Sequence, residues 1–157
     1  MNFQNVEMKA FAALNRLRVQ DLFLIQANTN ERTISHKLAE YLQAEFPTLN
    51  VDCEYNRHGN EIKRLEVLND NTLWDDTEAK TVFPDIIVHE RNSDRNNLLV
   101  IEVKKSSNPR NNHFDEDKLI AFTMEPFQYK FGLFLKISMR DTNDSLKWFE
   151  NGRAMNE

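Results

Sequence analysis

Apolar and polar positions follow each other along this chain in several distinct rhythms, and each rhythm predicts an element. From Val6 to Ile25 the apolar residues Phe11, Leu14, Leu17 and Leu22 recur at spacings of three to five, which predicts a packing helix broken near Gln20 and Asp21. Asn28, Thr29 and Asn30 stop that pattern, and Thr29 or Asn30 is placed to cap a second helix that runs through Phe46 and is ended by Pro47. Along this helix Glu31, Ile34, Leu38, Tyr41, Leu42 and Glu45 fall on one face, so Glu31 stands at the N-terminal end of the apolar stripe. Val51 to Asn56 alternates as an edge or first strand, with Val51, Cys53 and Tyr55 on one face and Asp52, Glu54 and Asn56 on the other. Gly59 to Thr81 is charged and weakly patterned, which predicts a long connection around a minor element.

Val82 to Glu90 and Leu98 to Lys105 carry the clearest strand pattern, and the polar stretch Arg91 to Asn97 joins them as a hairpin. A self-consistent register sets Asp85 opposite Glu102, Ile87 opposite Val100 and His89 opposite Leu98. Alternation then puts Asp85, Glu102 and Lys104 on one sheet face, while Ile86, Val88, Leu99, Ile101 and Val103 fill the other against helices. Farther on, Asp115 is the expected N-cap of a helix, with Phe114 and Leu119 as its hydrophobic staple and Pro126 as its stop. Tyr129 to Ile137 is a further strand, and Leu146, Trp148 and Phe149 mark an apolar terminal segment.

These elements occupy 157 residues, of which 40% are apolar and 29% charged, the profile of one α/β domain spanning 1–157 with 1–27 as an N-terminal helical extension. The longest apolar runs fall far short of the roughly 20 residues a membrane helix needs. Met1 to Ala10 carries Glu7 and lacks the pattern of a secretory signal, so a cytoplasmic protein is expected. Cys53 is the one cysteine and is expected as a small buried strand residue rather than a reactive thiol. His36, His58, His89 and His113 lack the spacing of a zinc site, and His36 and His89 are read as hydrogen-bonded structural residues. A net charge of -5 speaks against a protein that coats nucleic acid. It leaves room for a local acidic cluster with a basic rim of Arg57, His58, Lys63, Arg64, Lys104, Lys105 and Arg110.

Ordinary core logic stops at Pro84-Asp85 and Glu102-Val103-Lys104, where three ionisable residues interrupt apolar strands. Charges on central strands cost several kcal/mol to desolvate unless paired or metal-bound. Spacing alone leaves two readings open: a solvated ladder on an exposed face, or a site compensated by a cation.

The order of these residues resembles the PD-(D/E)XK nuclease motif. The surrounding helix, three strands, helix and strand resemble that superfamily's core, and Asn30 to Ala39 and Glu54 to Arg57 are similar to stretches in its small bacterial and phage members. The resemblance implies a restriction-endonuclease-like α/β domain, a mixed central sheet flanked by helices, that hydrolyses phosphodiester bonds in nucleic acid, DNA rather than RNA. Asp85, Glu102 and Lys104 would be the catalytic residues. Asp85, Glu102 and the carbonyl of Val103 would hold Mg²⁺ or Mn²⁺, with Glu31 as a further acidic ligand or else a first-turn helix carboxylate. Glu54 would either approach the site or, the favoured reading, stand as an exposed strand glutamate. Arg57, Lys105 and Lys118 would contact nucleic acid, or stand as surface charge. A homodimer is compatible with the resemblance. The rival expectations are a catalytically inactive nuclease-like module that binds nucleic acid or a protein partner, and an interaction protein whose acidic surface meets a basic partner.

Overall fold

The structure is a computed structural model that describes residues 1–55 and 83–155 in full, together with the backbone of residues 57–58, 61–62, 64–65 and 80–81. The N-terminal helix, α1 (Phe3–Gln20), is capped by the Asn2 side chain, which accepts from the Asn5 N–H, and ends where the Asp21 N–H donates to the Leu17 carbonyl. Asp21 turns the chain into the short α2 (Leu22–Gln26), at the predicted break. The helix buries Val6, Ala10, Ala13, Leu14 and Leu17, whereas Phe11 and Leu22, expected inside, are exposed. Small Ala10 and Ala13 let α1 lie close on its neighbour, and that contact face leaves Phe11 outside. The buried face of α1 supplies part of the main core.

That neighbour is α3 (Glu31–Glu45), capped by Asn30, whose side chain accepts from the Thr33 N–H at 2.8 Å. Its stripe of Ile34, Leu38 and Leu42 is fully buried, and each such side chain contributes roughly 1.5–3 kcal/mol through burial. Phe46 closes the helix before Pro47, as the pattern predicts.

Next come β1 (Asn50–Cys53), β2 (Arg57–His58), β3 (Glu61–Ile62), β4 (Arg64–Leu65) and β5 (Lys80–Thr81), then β6 (Ile86–His89) and β7 (Leu99–Lys105). After α4 (His113–Phe122) follow β8 (Phe131–Ile137), β9 (Ser145–Glu150) and β10 (Arg153–Ala154). Six strands form one mixed sheet in the order β1-β6-β7-β8-β9-β10, while β2 pairs β3 and β4 pairs β5 as two-residue ladders. Every pairing in the large sheet is antiparallel except β7 with β8, whose parallel register requires a crossover, and α4 provides it. The expected connection between Gly59 and Thr81 lies mostly outside the described residues.

Strand alternation divides the core in two. Ile86, Val88, Leu99, Ile101 and Val103 pack with α1 and α3, while Ile87, Val100, Phe134 and Phe149 pack with Leu119 and Phe122 of α4. A Cβ at Gly132 would lie 3.2 Å from Phe149 and 3.3 Å from Thr123, so glycine there admits the close approach of α4 to β8.

Several local expectations change. The β1 alternation ends at Cys53, because Glu54 adopts a left-handed φ of 48° and redirects the chain. Tyr55 therefore packs with the α4-side cluster and edge-on to His89, rather than beside Val51. Cys53 is exposed on the edge strand, not buried. Partial desolvation, then the nearby Asp85, Asp52 and Glu54 carboxylates, push its thiol up to about 11. The expected strand from Val82 is shorter, because Phe83, Pro84 and Asp85 precede the ladder and β6 begins at Ile86. The α4 cap is Asn112 rather than Asp115, and Phe114 is exposed instead of stapling to Leu119. No described helix is long and apolar enough to cross a membrane.

Candidate active site

The predicted hairpin register is present: Ile86 pairs with Ile101, Ile87 with Val100 and Val88 with Leu99. Continued by one residue, it sets Asp85 across from Glu102. Two hydrogen bonds hold Asp85 just beyond the end of β6. The Glu54 N–H donates to its carbonyl at 3.2 Å, and the Val103 N–H donates to its Oδ2 at 2.7 Å. The carboxylate thus continues the ladder where β6 has run out. N–H and C=O groups of one residue leave a strand on the same edge, so the Val103 carbonyl is directed to that side too.

Glu102 and Lys104, two residues apart on β7, face α4 and are only 2% and 3% exposed. Helix α4 meets them with residues one turn apart. Lys118 Nζ donates to Glu102 Oε2 at 2.6 Å, and Lys104 Nζ donates to Asp115 Oδ2 at 3.1 Å and to the Asn111 carbonyl at 2.9 Å. The result is a crossed quartet in which a strand carboxylate meets a helix lysine and a strand lysine meets a helix carboxylate. Asp115 was expected only as a cap, and Lys118 as a surface charge or phosphate contact. The signal that could have found them is the spacing: Asp115-x-x-Lys118 offers, one helical turn apart, the opposite charges to Glu102-x-Lys104.

Burial dominates the electrostatics. It raises the Asp85 carboxyl above its ordinary range; the Val103 N–H and Lys118 oppose that shift, whereas Asp115 and Glu31 add to it. Glu102 is pushed well above the usual carboxylate range, first by burial and then by the charge of Asp85, and its ion pair with Lys118 only partly offsets this. Its Oε1 is, among the described residues, the buried side-chain oxygen with no hydrogen-bond partner. An orphaned acceptor of this kind costs roughly 1–3 kcal/mol. A divalent cation fits here: hard oxygen donors suit Mg²⁺ or Mn²⁺, and a second positive charge would relieve the repulsion between Asp85 and Glu102.

The other expected site residues are placed less directly. Glu31 lies close enough for its charge to act on Asp85, but its Oε1 accepts from the Lys105 N–H at 3.1 Å and from Asn108 Nδ2 at 2.8 Å. Among the described residues no three His, Cys, Asp or Glu side chains form a metal-holding group, so Glu31 is not gathered with Asp85 and Glu102 into one ligand set. Lys105 Nζ donates to Asn28 Oδ1 at 3.1 Å and to the Thr29 carbonyl at 3.0 Å, tying the end of β7 to the loop before α3. Lys118 is buried, because its position on α4 turns it toward β7 together with Leu119 and Phe122. The Arg57 side chain lies outside the described residues. Glu54 is exposed and pairs with Arg32 at 2.8 Å.

His89 is buried and shares a 2.9 Å contact with Asp52, which also pairs with Arg91; His36 is an exposed helix residue paired with Glu40. An open cleft of about 700 Å³ lies at the other end of α4, lined by residues that include Met124, Gln128 and Lys130. It is remote from the carboxylates, and its size does not make it the chemical site. Comparison with protein-family models, with curated proteins and with solved structures finds no match to this chain.

Proposed function

We propose that the chain is a metal-dependent nuclease of the PD-(D/E)XK type, hydrolysing phosphodiester bonds in nucleic acid, with DNA as the substrate. The observation that carries this reading is the buried Glu102 oxygen left unpartnered within reach of the charge of Asp85, which stands one residue beyond the ladder that pairs Ile86 with Ile101. The succession α3, β1, β6, β7, α4 and β8 also supports a restriction-endonuclease-like core, since it repeats the helix, three strands, helix and strand of that fold.

Asp85, Glu102 and the Val103 carbonyl would hold Mg²⁺ or Mn²⁺, which when bound supplies an acidified water and neutralises charge on the reacting phosphate. Lys104 is held by Asp115 and the Asn111 carbonyl, which use two of its three N–H donors. The third is left to donate to a phosphate oxygen or to orient the attacking water, so Asp115 acts as a positioning residue. Lys104→Ala is expected to slow cleavage by about one to two orders of magnitude with little change in the Mg²⁺ concentration needed for half-maximal rate. A parallel loss of metal dependence would show that Lys104 supports the metal ligands instead.

Purified protein incubated with single-stranded, duplex and branched DNA and with RNA, each with Mg²⁺, Mn²⁺ or EDTA, tests the reading. Metal-dependent cleavage of DNA is expected, and no cleavage of any substrate defeats it. One observation favours the runner-up, a catalytically inactive module that binds nucleic acid or a protein partner: Lys118 already neutralises one side of Glu102, as an ion pair in place of a metal would. DNA retardation without cleavage selects that reading.

A further inference from the structure

The helix α1 has a second apolar face. Opposite its buried stripe, Met8, Phe11, Asn15 and Val19 follow at spacings of three, four and four and so line one side of the helix. Leu22 and Phe23 continue the exposed run in α2. Met8 is 63% exposed, Phe11 46%, Val19 73%, Leu22 41% and Phe23 75%. These five side chains hold on the order of 500 Å² of apolar surface, the size of the largest patch on a typical monomer, which is often functional.

We propose that this face is the contact between two copies of the chain, packed antiparallel about a two-fold axis at Asn15. Within α1 the pattern is symmetric about Asn15, with Phe11 and Val19 four residues away; Met8 lies seven residues before it and Leu22, past the turn at Asp21, seven after. An antiparallel two-fold pair sets each position against the one equally far on the other side of the axis, so this symmetry puts apolar against apolar. Phe11 then covers Val19 of the second copy, and Met8 covers Leu22. The Asn15 amides, each with donors and an acceptor, bond to each other on the axis and fix the register, a use of buried asparagine known from coiled coils. Two such faces bury about 1,000 Å², the lower limit for a specific interface.

Charge separates this partner from an anionic lipid or nucleic-acid surface. Two of the three basic residues of α1 are half-buried and bonded to the protein itself, Lys9 to the Glu45 carbonyl and Arg18 to Asp144, while the exposed Arg16 lies 5.5 Å over the Tyr41 ring. None of positions 8, 11, 15, 19, 22 and 23 is charged. A surface-binding helix would instead line its apolar face with several exposed lysines or arginines, where α1 exposes Arg16. The inference does not depend on the nuclease reading.

Sedimentation velocity of the full chain at roughly 10–100 µM is expected to give a dimer, with association weakened about a hundredfold or more by Phe11→Glu or Val19→Lys. The double variant Phe11→Glu/Val19→Lys should regain the dimer, since opposite charges then meet at both ends of the contact. In a Cys53→Ala background Asn15→Cys should form a disulfide-linked dimer on oxidation, and Met8→Cys should not. Circular dichroism checks the fold of each variant. A wild-type monomer across this range, a monomer that binds vesicles through these residues, or a dimer indifferent to Phe11→Glu and Val19→Lys would each overturn the proposal.

Discussion

Asp85→Asn is expected to reduce phosphodiester cleavage by about two to three orders of magnitude, while the variant in EDTA melts no earlier than the wild-type chain. The two effects share one cause. The carboxylate charge is what a cation would use, and the same charge burdens the metal-free fold. Asparagine keeps the shape and an oxygen that accepts from the Val103 N–H, so the bond that extends the ladder past β6 survives. What disappears is a negative charge buried near Glu102, Asp115 and Glu31. Burial raises the folded-state pKa of Asp85 above its unfolded value, so at pH below the unfolded value both states are protonated and ionisation costs nothing. As pH rises through the folded value, the wild-type fold bears the cost of ionising and the variant does not. The stability gain of Asp85→Asn should therefore be absent below the unfolded carboxylate value and grow as pH climbs to the folded one, each kcal/mol appearing as roughly 2–4 °C in Tm for a chain of this size. Calorimetry across pH in EDTA, beside a cleavage assay in Mg²⁺, checks both halves. Wild-type cleavage by Asp85→Asn would remove Asp85 from the site.

What was legible in the sequence is what a strict local period can encode. Period-two alternation placed Ile87 opposite Val100, and hence Asp85 opposite Glu102, because a one-residue slip would have turned the whole apolar set of β6 and β7 to the wrong face. The Asn30 cap and the Pro47 stop of α3 are local chemistry as well. What escaped depended on contacts between distant elements. Phe11 looks like core by hydropathy, but Ala10 and Ala13 choose the face on which α1 meets α3. Tyr55 changes sides because Glu54 takes a left-handed turn that no apolar pattern signals. Lys118, read as a solvated or phosphate-binding lysine, is buried because Glu102 waits on β7 across the parallel crossover, a pairing that becomes visible only when helix and strand are set against each other.

That buried pair yields the last expected result: Lys118→Met should destabilise the metal-free protein by about 3–5 kcal/mol at neutral pH, the usual consequence of removing one partner from a buried ion pair. Methionine fills the space of the lysine stem, so packing contributes little and the uncompensated Glu102 carboxylate contributes most. Glu102 is already held well above the ordinary carboxylate range by burial and by Asp85, with Lys118 opposing the shift. Losing that opposition raises its folded pKa further. A raised carboxyl favours the fold at low pH and loses that advantage as pH climbs through the folded value, so the gap between wild type and variant should widen from acid toward neutral pH and close again below the unfolded carboxylate value. Mg²⁺ then separates the two functional readings. If Glu102 is a metal ligand, a cation replaces the lost ammonium, and saturating Mg²⁺ should raise the Tm of Lys118→Met by more than it raises that of the wild type. If the Lys118 pair is instead the permanent substitute for a metal in a noncatalytic module, Mg²⁺ will shift neither protein. In that case the double variant Glu102→Gln/Lys118→Met should recover most of the lost stability, because no buried carboxylate charge is then left without its lysine. Equal melting of Lys118→Met and wild type at pH 8 in EDTA would deny the buried pair itself, and with it the crossed quartet on which both readings draw.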